Sequence, residues 1–256
     1  MSEIFDYGNA HLHFKEIDST NSYARRLIDK QRREGSNGVK YLLISADMQT
    51  AGRGRSGKSF SSLAGNGIYM TVMLRVDRSP ESCMLTTPAA AVGAVEALEA
   101  AGSQRLGIKW VNDLFSEDKK VSGILTEAVF DRTGKNIEYI LIGIGINIDA
   151  DIASMPEDAA KVAGSISGLN ESREELMLHI AESISCRVYE SFDDGSRIMR
   201  IYRERSILLG RQIVWSDRNG RHIGIAEDIN DMGNLVVTEN GHTVTLRSGE
   251  VSVRRT

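Results

Sequence analysis

The stretch Gly52-Arg-Gly-Arg-Ser-Gly-Lys-Ser59 fits the spacing G-x-x-x-x-G-K-[ST] of a phosphate-binding P-loop. That pattern works only where a strand precedes it and a helix begins inside it, because the helix N-terminus supplies the amides that face the phosphates. The strand is present in Tyr41-Leu-Leu-Ile-Ser-Ala46. The helix is not. Gly65, Asn66 and Gly67 interrupt the following segment, and Ile68-Tyr-Met-Thr-Val-Met-Leu74 reads as a second strand. The stretch is therefore a long loop joining two strands, which argues against a P-loop nucleoside triphosphatase. Its glycines let backbone amides approach an anion, and Arg53, Arg55 and Lys58 add positive charge. It still reads as a phosphate binder, although a solvated surface loop has the same composition.

The 256 residues are 41% hydrophobic and 26% charged, enough for a large core and a second small domain. A net charge of -4 gives no global attraction for nucleic acid or anionic membrane. No secretory signal opens the chain and no apolar run has transmembrane length, so a cytoplasmic protein is expected. Cys83 and Cys186 lack metal or redox spacing and read as reduced, mostly buried thiols. His11 and His13 share one face of a strand without further ligands, which suggests an edge strand rather than a metal site.

Residues 11–17 read as a strand. Asp18-Ser-Thr-Asn21 then caps a helix to about Arg33, with Ala24, Leu27 and Ile28 as its apolar stripe. Pro80 and Pro88 flank the entry to an alanine-rich helix over 89–101. Ile108-Lys-Trp-Val111 is a short strand, with Asn112 and Asp113 in the turn after it. Residues 121–130 and 137–148 form a hairpin, 174–192 is helical, and a further short helix ends near Leu209. After Gly210 come five short strands at 213–215, 222–226, 235–238, 243–246 and 251–253, separated by Gly/Asn/Asp turns. The expected architecture is α+β: a mixed sheet with helices over residues 1–209, then a small antiparallel barrel over 210–256.

Several polar residues stand where an apolar core does not explain them. Ser19, Thr20 and Asn21 are small hydrogen-bonding groups at a helix start, one of which serves as its cap. Lys109 has apolar neighbours in its strand, an unusual place unless its ammonium meets an anion or guards a sheet edge. Asp113 offers a carboxylate to Mg²⁺ or to a lysine of another strand. Gly143-Ile-Gly-Ile-Asn147 puts two glycines on one strand face, clearing space for a flat group against the sheet. It lacks the third glycine of a dinucleotide fingerprint.

Taken in chain order, Asp18-Ser-Thr-Asn-Ser22, Gln49-Thr-Ala-Gly-Arg-Gly-Arg-Ser-Gly-Lys-Ser-Phe60, Gly65-Asn-Gly-Ile-Tyr69, Lys109-Trp-Val-Asn-Asp-Leu114, Lys120-Val-Ser-Gly-Ile-Leu125, Gly143-Ile-Gly-Ile-Asn147 and Ser248-Gly-Glu-Val-Ser-Val253 resemble the biotin protein ligases. Each segment alone is weak. The ordered set is specific and spans nearly the whole chain. The resemblance implies a class II synthetase-like catalytic domain followed by an SH3-like barrel. It also implies a two-step reaction, in which biotin and ATP form biotinyl-5′-AMP and a lysine of a carrier domain then takes the biotinyl group.

The same resemblance implies the site. Ser19, Thr20, Asn21 and Gln49 surround biotin, whose neutral bicyclic urea needs matched donors and acceptors rather than charges. Gly52, Arg53, Gly54 and Arg55 form the adenylate loop over the carboxyl–phosphate region. Lys109, Arg55 and Lys120 make the catalytic set, Lys109 neutralising charge on the α-phosphate. Phe60, Asn112, Gly123, Gly143, Gly145 and Asn147 complete the biotin and ATP contacts, and Asp113 is the Mg²⁺ ligand. Phe60 stands where the family has Trp, and Val111 where it has Pro.

Biotin, ATP and Mg²⁺ are the implied substrates and cofactors. The implied partner is the biotin carboxyl carrier domain of a biotin-dependent carboxylase, with no nucleic acid and no membrane, the ligase acting as a monomer or homodimer. About ten residues precede the first strand, leaving no room for the N-terminal helix-turn-helix domain of some members. The alternatives are a lipoate–protein ligase, which shares the fold and the activation step, and a non-catalytic binding module using its barrel. The loop together with K-W-x-N-D-L favours biotin.

Overall fold

The structure, a computed structural model, describes residues 11–36, 38–218 and 220–253. Its first part contains β1 (His11–Ile17), α1 (Thr20–Glu34), β2 (Tyr41–Gln49), β3 (Gly67–Arg78), α2 (Thr86–Ala100), β4 (Gly107–Lys109), β5 (Asp113–Ser116), β6 (Lys119–Phe130) and β7 (Ile137–Asn147). Helices α3 (Glu157–Ala160), α4 (Arg173–Asp193) and α5 (Ser196–Glu204) follow. Strands β8 (Gln212–Asp217), β9 (Gly220–Ile229), β10 (Leu235–Glu239), β11 (His242–Leu246) and β12 (Val251–Val253) close the chain. The first seven strands form one sheet in the order β1-β2-β3-β7-β6-β5-β4. It is mixed, because β1 runs parallel to β2 while the other neighbours are antiparallel. The last five make a separate antiparallel sheet in the order β11-β10-β9-β8-β12.

Alternation along the strands assigns each face of the first sheet its own helices. Leu42, Ile44, Met73, Val129, Tyr139 and Leu141 pack on Ala24 and Ile28 of α1. Leu43, Met70, Val72, Ile142 and Ile144 face α2 and α4. Helix α2 is apolar nearly all round because it lies between the sheet and other helices. Ile198, Met199 and Tyr202 of α5 join the same apolar core as Ile213, Trp215, Leu235 and Val237 of the second sheet. The two sheets are thus bound through one continuous core. Among the described residues, no helix is long and apolar enough to cross a membrane.

Two expectations need correction. The turn after Lys109 covers 110–112, and Asp113 opens β5 rather than sitting in that turn. Asp113-Leu-Phe-Ser116 is too short for a periodic signal and is a strand because β4 and β6 pair with it on both sides. Cys83 is buried, but Cys186 is exposed on the outer face of α4. The His11 and His13 rings share the Ser45 hydroxyl, at 2.8 and 2.9 Å, on the edge strand β1.

Gly93 is where α2 and α4 touch. A Cβ there would lie 2.8 Å from both Ile184 Cα and Ser183 O. Gly93→Ala gains about 0.5–1 kcal/mol of helix propensity but costs about 1–3 kcal/mol of overpacking. The variant should melt at a lower temperature than the parent; an equal or higher melting temperature would mean that the helices part freely.

His222 stacks on Trp215 at 5.2 Å and lies 2.9 Å from Asp217 Oδ1 and from Glu239 Oε1. The Asp217 and Glu239 hydrogen bonds raise its pKa. The stabilisation is therefore full below the unfolded value of about 6.5 and fades as pH rises through the raised folded value. His222→Gln should lower the melting temperature more at pH ~5.5 than at pH ~9; an equal loss at both would refute the ion pair.

Candidate active site

The loop over residues 50–61 closes on itself. Phe60 N–H donates to Gly52 O at 2.9 Å, Gly54 N–H to Lys58 O at 2.7 Å and Lys58 N–H to Arg55 O at 3.0 Å. A Cβ at Gly52 would stand 2.4 Å from Phe60 O and 2.7 Å from Ser62 Oγ, so this glycine serves a close crossing of two chain segments. The Gly54 amide is spent inside the loop rather than on an anion. Inside the loop lies one 3-10 turn, Arg55–Gly57, broken by Ser56 at φ 54°, and β3 follows; no α-helix starts in the loop, as the P-loop exclusion requires.

Beside the loop, Gly123 of β6 pairs directly with Gly145 of β7, and Gly143 lies on the same face. This floor is clear of side chains, and the protein itself covers it. A Cβ at Gly145 would meet Phe60 Cε1 at 2.3 Å, and one at Gly123 would meet Cε2 at 3.2 Å. A Cβ at Gly143 would meet Asn21 Oδ1 at 2.3 Å. The flat group resting on the sheet is the Phe60 ring, with Tyr69 edge-on at 6.4 Å.

One end of the floor is neutral and hydrogen-bonded. Ser19 is the N-cap of α1, its side chain accepting from Ser22 N–H. Gln49 Oε1 accepts from Thr20 N–H at 2.9 Å, and Gln49 Nε2 donates to Ser62 Oγ at 2.8 Å. Thr71 Oγ1 lies 2.8 Å from Thr20 Oγ1 and 2.6 Å from Asn21 Oδ1. Ser19, Thr20, Asn21, Ser62 and Thr71 are all buried. Glu127 borders this end, accepting from Asn21 Nδ2 at 2.8 Å and Arg53 Nη1 at 3.1 Å.

The other end is cationic. Lys120 Nζ lies 2.7 Å from Asp113 Oδ1, so Asp113 has taken the second of the two partners its position allowed. Lys109 sits opposite Asp113 in the β4–β5 register, its Nζ 5.7 Å from the Phe115 ring centroid. Burial pushes the Lys109 ammonium below the usual lysine range, Asp113 opposes that shift, and Lys120 adds to it. Arg55 Nη1 donates to Asn112 Oδ1 at 3.2 Å, while Asn112 Nδ2 donates to Ile124 O at 2.6 Å. Asn147 Nδ2 donates to Gly164 O at 2.9 Å, whereas its buried Oδ1 has no protein partner. Lys58 Nζ donates to Glu250 Oε2 at 2.6 Å, a bond that holds the Glu250 carboxyl below its usual range.

The loop's two arginines therefore diverge, Arg53 to the neutral end and Arg55 to the cationic one. Neither Glu127 nor Glu250 is among the site residues expected from the sequence, although Glu250 lies in the closing segment Ser248-Gly-Glu-Val-Ser-Val253. Glu127 carried the same signal as Lys109, a charge among apolar strand residues in Ile124-Leu-Thr-Glu-Ala-Val129. The pairing of Glu250 is not legible in the sequence, because its partner lies 192 residues away. Among the described residues, no three His, Cys, Asp or Glu side chains group to hold a metal. Two surface clefts, one lined by Arg32, Arg75 and Glu138, the other by Met84, Val111 and Met232, contain none of these residues.

The Biotin/lipoate A/B protein ligase family matches residues 14–147, and the Biotin protein ligase C terminal domain matches residues 208–254. The bifunctional ligase/repressor BirA of Bacillus spizizenii is 32% identical, over 90% of this chain and 70% of its own. The biotin–[acetyl-CoA-carboxylase] ligase of Mycobacterium tuberculosis is 27% identical, over 82% and 78%. The biotin protein ligase from Aquifex aeolicus in complex with biotin and ATP is similar with a TM-score of 0.75 at 25% identity, over 97% of this chain and 100% of that one. The neutral end, the glycine floor and the lysines of the cationic end all fall in the first matched segment, and Glu250 in the second. The chain belongs to the biotin/lipoate protein ligase family, as one of its biotin protein ligases.

Proposed function

We propose that this chain is a biotin–[acetyl-CoA-carboxylase] ligase. The observation that carries the reading is a glycine floor, overlaid by Phe60 and Asn21, with a neutral hydrogen-bonding end and a cationic end. Biotin has the matching polarity, with a neutral urea at one end and a carboxylate at the other. A carboxylate oxygen attacks the α-phosphorus of ATP, the bond to pyrophosphate breaks, and biotinyl-5′-AMP forms. The amine of a carrier-domain lysine then attacks the acyl carbon, and AMP leaves with the bridging oxygen.

The reacting carboxylate and phosphate are both anions, so the barrier includes bringing like charges together. Lys109 and Lys120 offset that repulsion, and partial burial strengthens the field of Lys109. Arg55, aimed by Asn112, lies over the same end. Gly52 and Gly54 hold the loop's shape, Phe60 supplies an aromatic lid, and the unpaired Asn147 Oδ1 suits an amino donor of the adenine. Asp113 is engaged by Lys120, so the residues present do not fit a resident metal site. Mg²⁺ enters as part of the nucleotide substrate, held on its phosphates and by water.

A lipoyl dithiolane ring carries no group to pair with the Thr20–Gln49 end, which favours biotin over lipoate. The acceptor is a biotin carboxyl carrier domain, and the supply of ATP and carrier places the reaction in the cytoplasm. Incubation with ATP, Mg²⁺ and either biotin or lipoate, followed by mass spectrometry, should yield biotinyl-5′-AMP. Lipoyl-AMP alone would reassign the substrate, and release of phosphate without an acyl-adenylate would end the ligase reading.

Lys109→Ala should slow ATP–pyrophosphate exchange by ~10²–10³ while biotin binding remains measurable. Exchange at the parental rate would remove Lys109 from the chemical step. Arg55→Gly breaks the tie to Asn112 and should let biotinyl-AMP escape, so that bystander lysines in a mixed protein sample become labelled. Lost adenylation without leakage would instead put Arg55 in the first step.

A further inference from the structure

Trp110, Val111 and Asn112 form the turn between β4 and β5 at the cationic end. Directly paired residues of a sheet point to the same face. Lys109 pairs with Asp113, Asp113 with Gly123 and Gly123 with Gly145, so both charged residues stand on the face of the glycine floor. Their neighbours Ile108, Leu114 and Ile146 point the other way, into the apolar core shared with α2, α4 and α5. Tyr202 of α5 is fully buried in that core and donates its hydroxyl to Val111 O at 2.8 Å. Burial pushes the ionisation of this hydroxyl upward, so it keeps its proton.

The Val111 carbonyl and the Asn112 N–H belong to one planar peptide unit, and across this trans bond they point in opposite directions. A carbonyl turned toward Tyr202 therefore turns the N–H away from the core, to the side that carries Lys109, Asp113 and Gly123. The other bonds of the turn act outside this unit. Asn112 Nδ2 donates to Ile124 O at 2.6 Å, and Asn112 O accepts from Ile124 N–H at 2.9 Å, both beyond the Asn112 Cα. The tie from Trp110 to Gly233 O runs through the indole. Among the described residues, the Asn112 N–H has no protein acceptor. Arg55 Nη1 reaches Oδ1 of the same residue at 3.2 Å, so the unused donor and the loop guanidinium share one locality.

We propose that the Asn112 backbone N–H is a hydrogen-bond donor to the α-phosphate at the cationic end, and that Tyr202 is the positioning residue that turns it there. The inference rests on the ligase reading of the site and adds a neutral donor to its lysines and arginine. As the carboxylate adds to phosphorus, negative charge grows on the non-bridging oxygens, and a donor already aimed at them needs no reorientation. A buried tyrosine, rather than a phenylalanine, on α5 then has a function at the reacting end, although the ring itself never meets the substrate.

Val111-Asn112 is the only Val-Asn pair in the chain, so ¹³C-carbonyl valine together with ¹⁵N-asparagine marks this one amide in a nuclear magnetic resonance spectrum. In the full chain, biotin with α,β-methylene-ATP, whose bridge to be broken is a methylene, should move that amide proton downfield, as a bond to a charged acceptor does. An unmoved signal overturns the proposal. Tyr202→Phe should slow ATP–pyrophosphate exchange ~10–100-fold at saturating substrates, leave the KM for biotin unchanged and abolish the downfield shift. Replacing Tyr202 by 4-aminophenylalanine, which keeps a donor at the same reach, should recover most of the rate. Exchange at the parental rate in Tyr202→Phe refutes the positioning role. So does slowed exchange with the shift retained, because the tyrosine then only supports the fold. Should circular dichroism find Tyr202→Phe unfolded, the 4-aminophenylalanine chain decides: near-parental rate and shift support the proposal, and loss of either refutes it. A parent chain that forms no biotinyl-5′-AMP sinks the ligase reading itself, which separates the two failures.

Discussion

The register of β6 against β7 is the constraint on which the site depends. It sets Gly123 opposite Gly145 and sends Ile124, Ile144 and Ile146 to the other face, into the core under α2 and α4. Because side chains alternate, a slip of one residue would put isoleucines on the floor and glycines in the core. The apolar burial that stabilises the sheet thus also keeps larger side chains off the floor. Phe60, Asn21 and Lys120 all take their places against those glycines, each within 3.2 Å of where a Cβ would stand.

The floor has a neutral and a cationic end, and the loop above it is held by two carboxylates, one on the first sheet and one beside the second. Arg53 meets Glu127 of the first sheet, and Lys58 meets Glu250 beside the second. The Lys58–Glu250 pair is 65% and 57% exposed, so it is worth about 0–1 kcal/mol at most. The Arg53–Glu127 pair has its carboxylate 15% exposed and is the firmer hold. Opening the loop at its barrel side therefore costs little, whereas opening it at the neutral end disturbs a buried network.

Much of the fold was legible because its elements carry strong local patterns. The Ala24–Ile28 stripe, the β6–β7 hairpin and the five short C-terminal strands are periodic and bounded by turn residues. β5 escaped because four residues hold too little pattern and its stability comes from neighbours on both sides. At the site, residue types were legible and directions were not. The glycines of the loop suggested an anion cradle, yet Gly52 is there for a chain crossing and the Gly54 amide is used internally. Arg53 and Arg55 are two residues apart in sequence and point to opposite ends, a choice made by Glu127 and Asn112 far along the chain.

The strand that carries Lys109 is held from beyond the first sheet. Ile108 exchanges backbone hydrogen bonds with Arg205 and Ile207, Tyr202 donates its hydroxyl to Val111 O, and Trp110 Nε1 donates to Gly233 O. The Thr20–Glu127 row of hydrogen bonds, in contrast, draws on α1, β2, β3 and β6, with β7 between the last two strands. During synthesis from the N-terminus, this row can therefore assemble once β7 has emerged, while Lys109 still lacks its supports. The address of that ammonium is completed only once the turn at Gly233 has emerged, so the hydrogen-bonded row precedes the Lys109 environment in the order of synthesis.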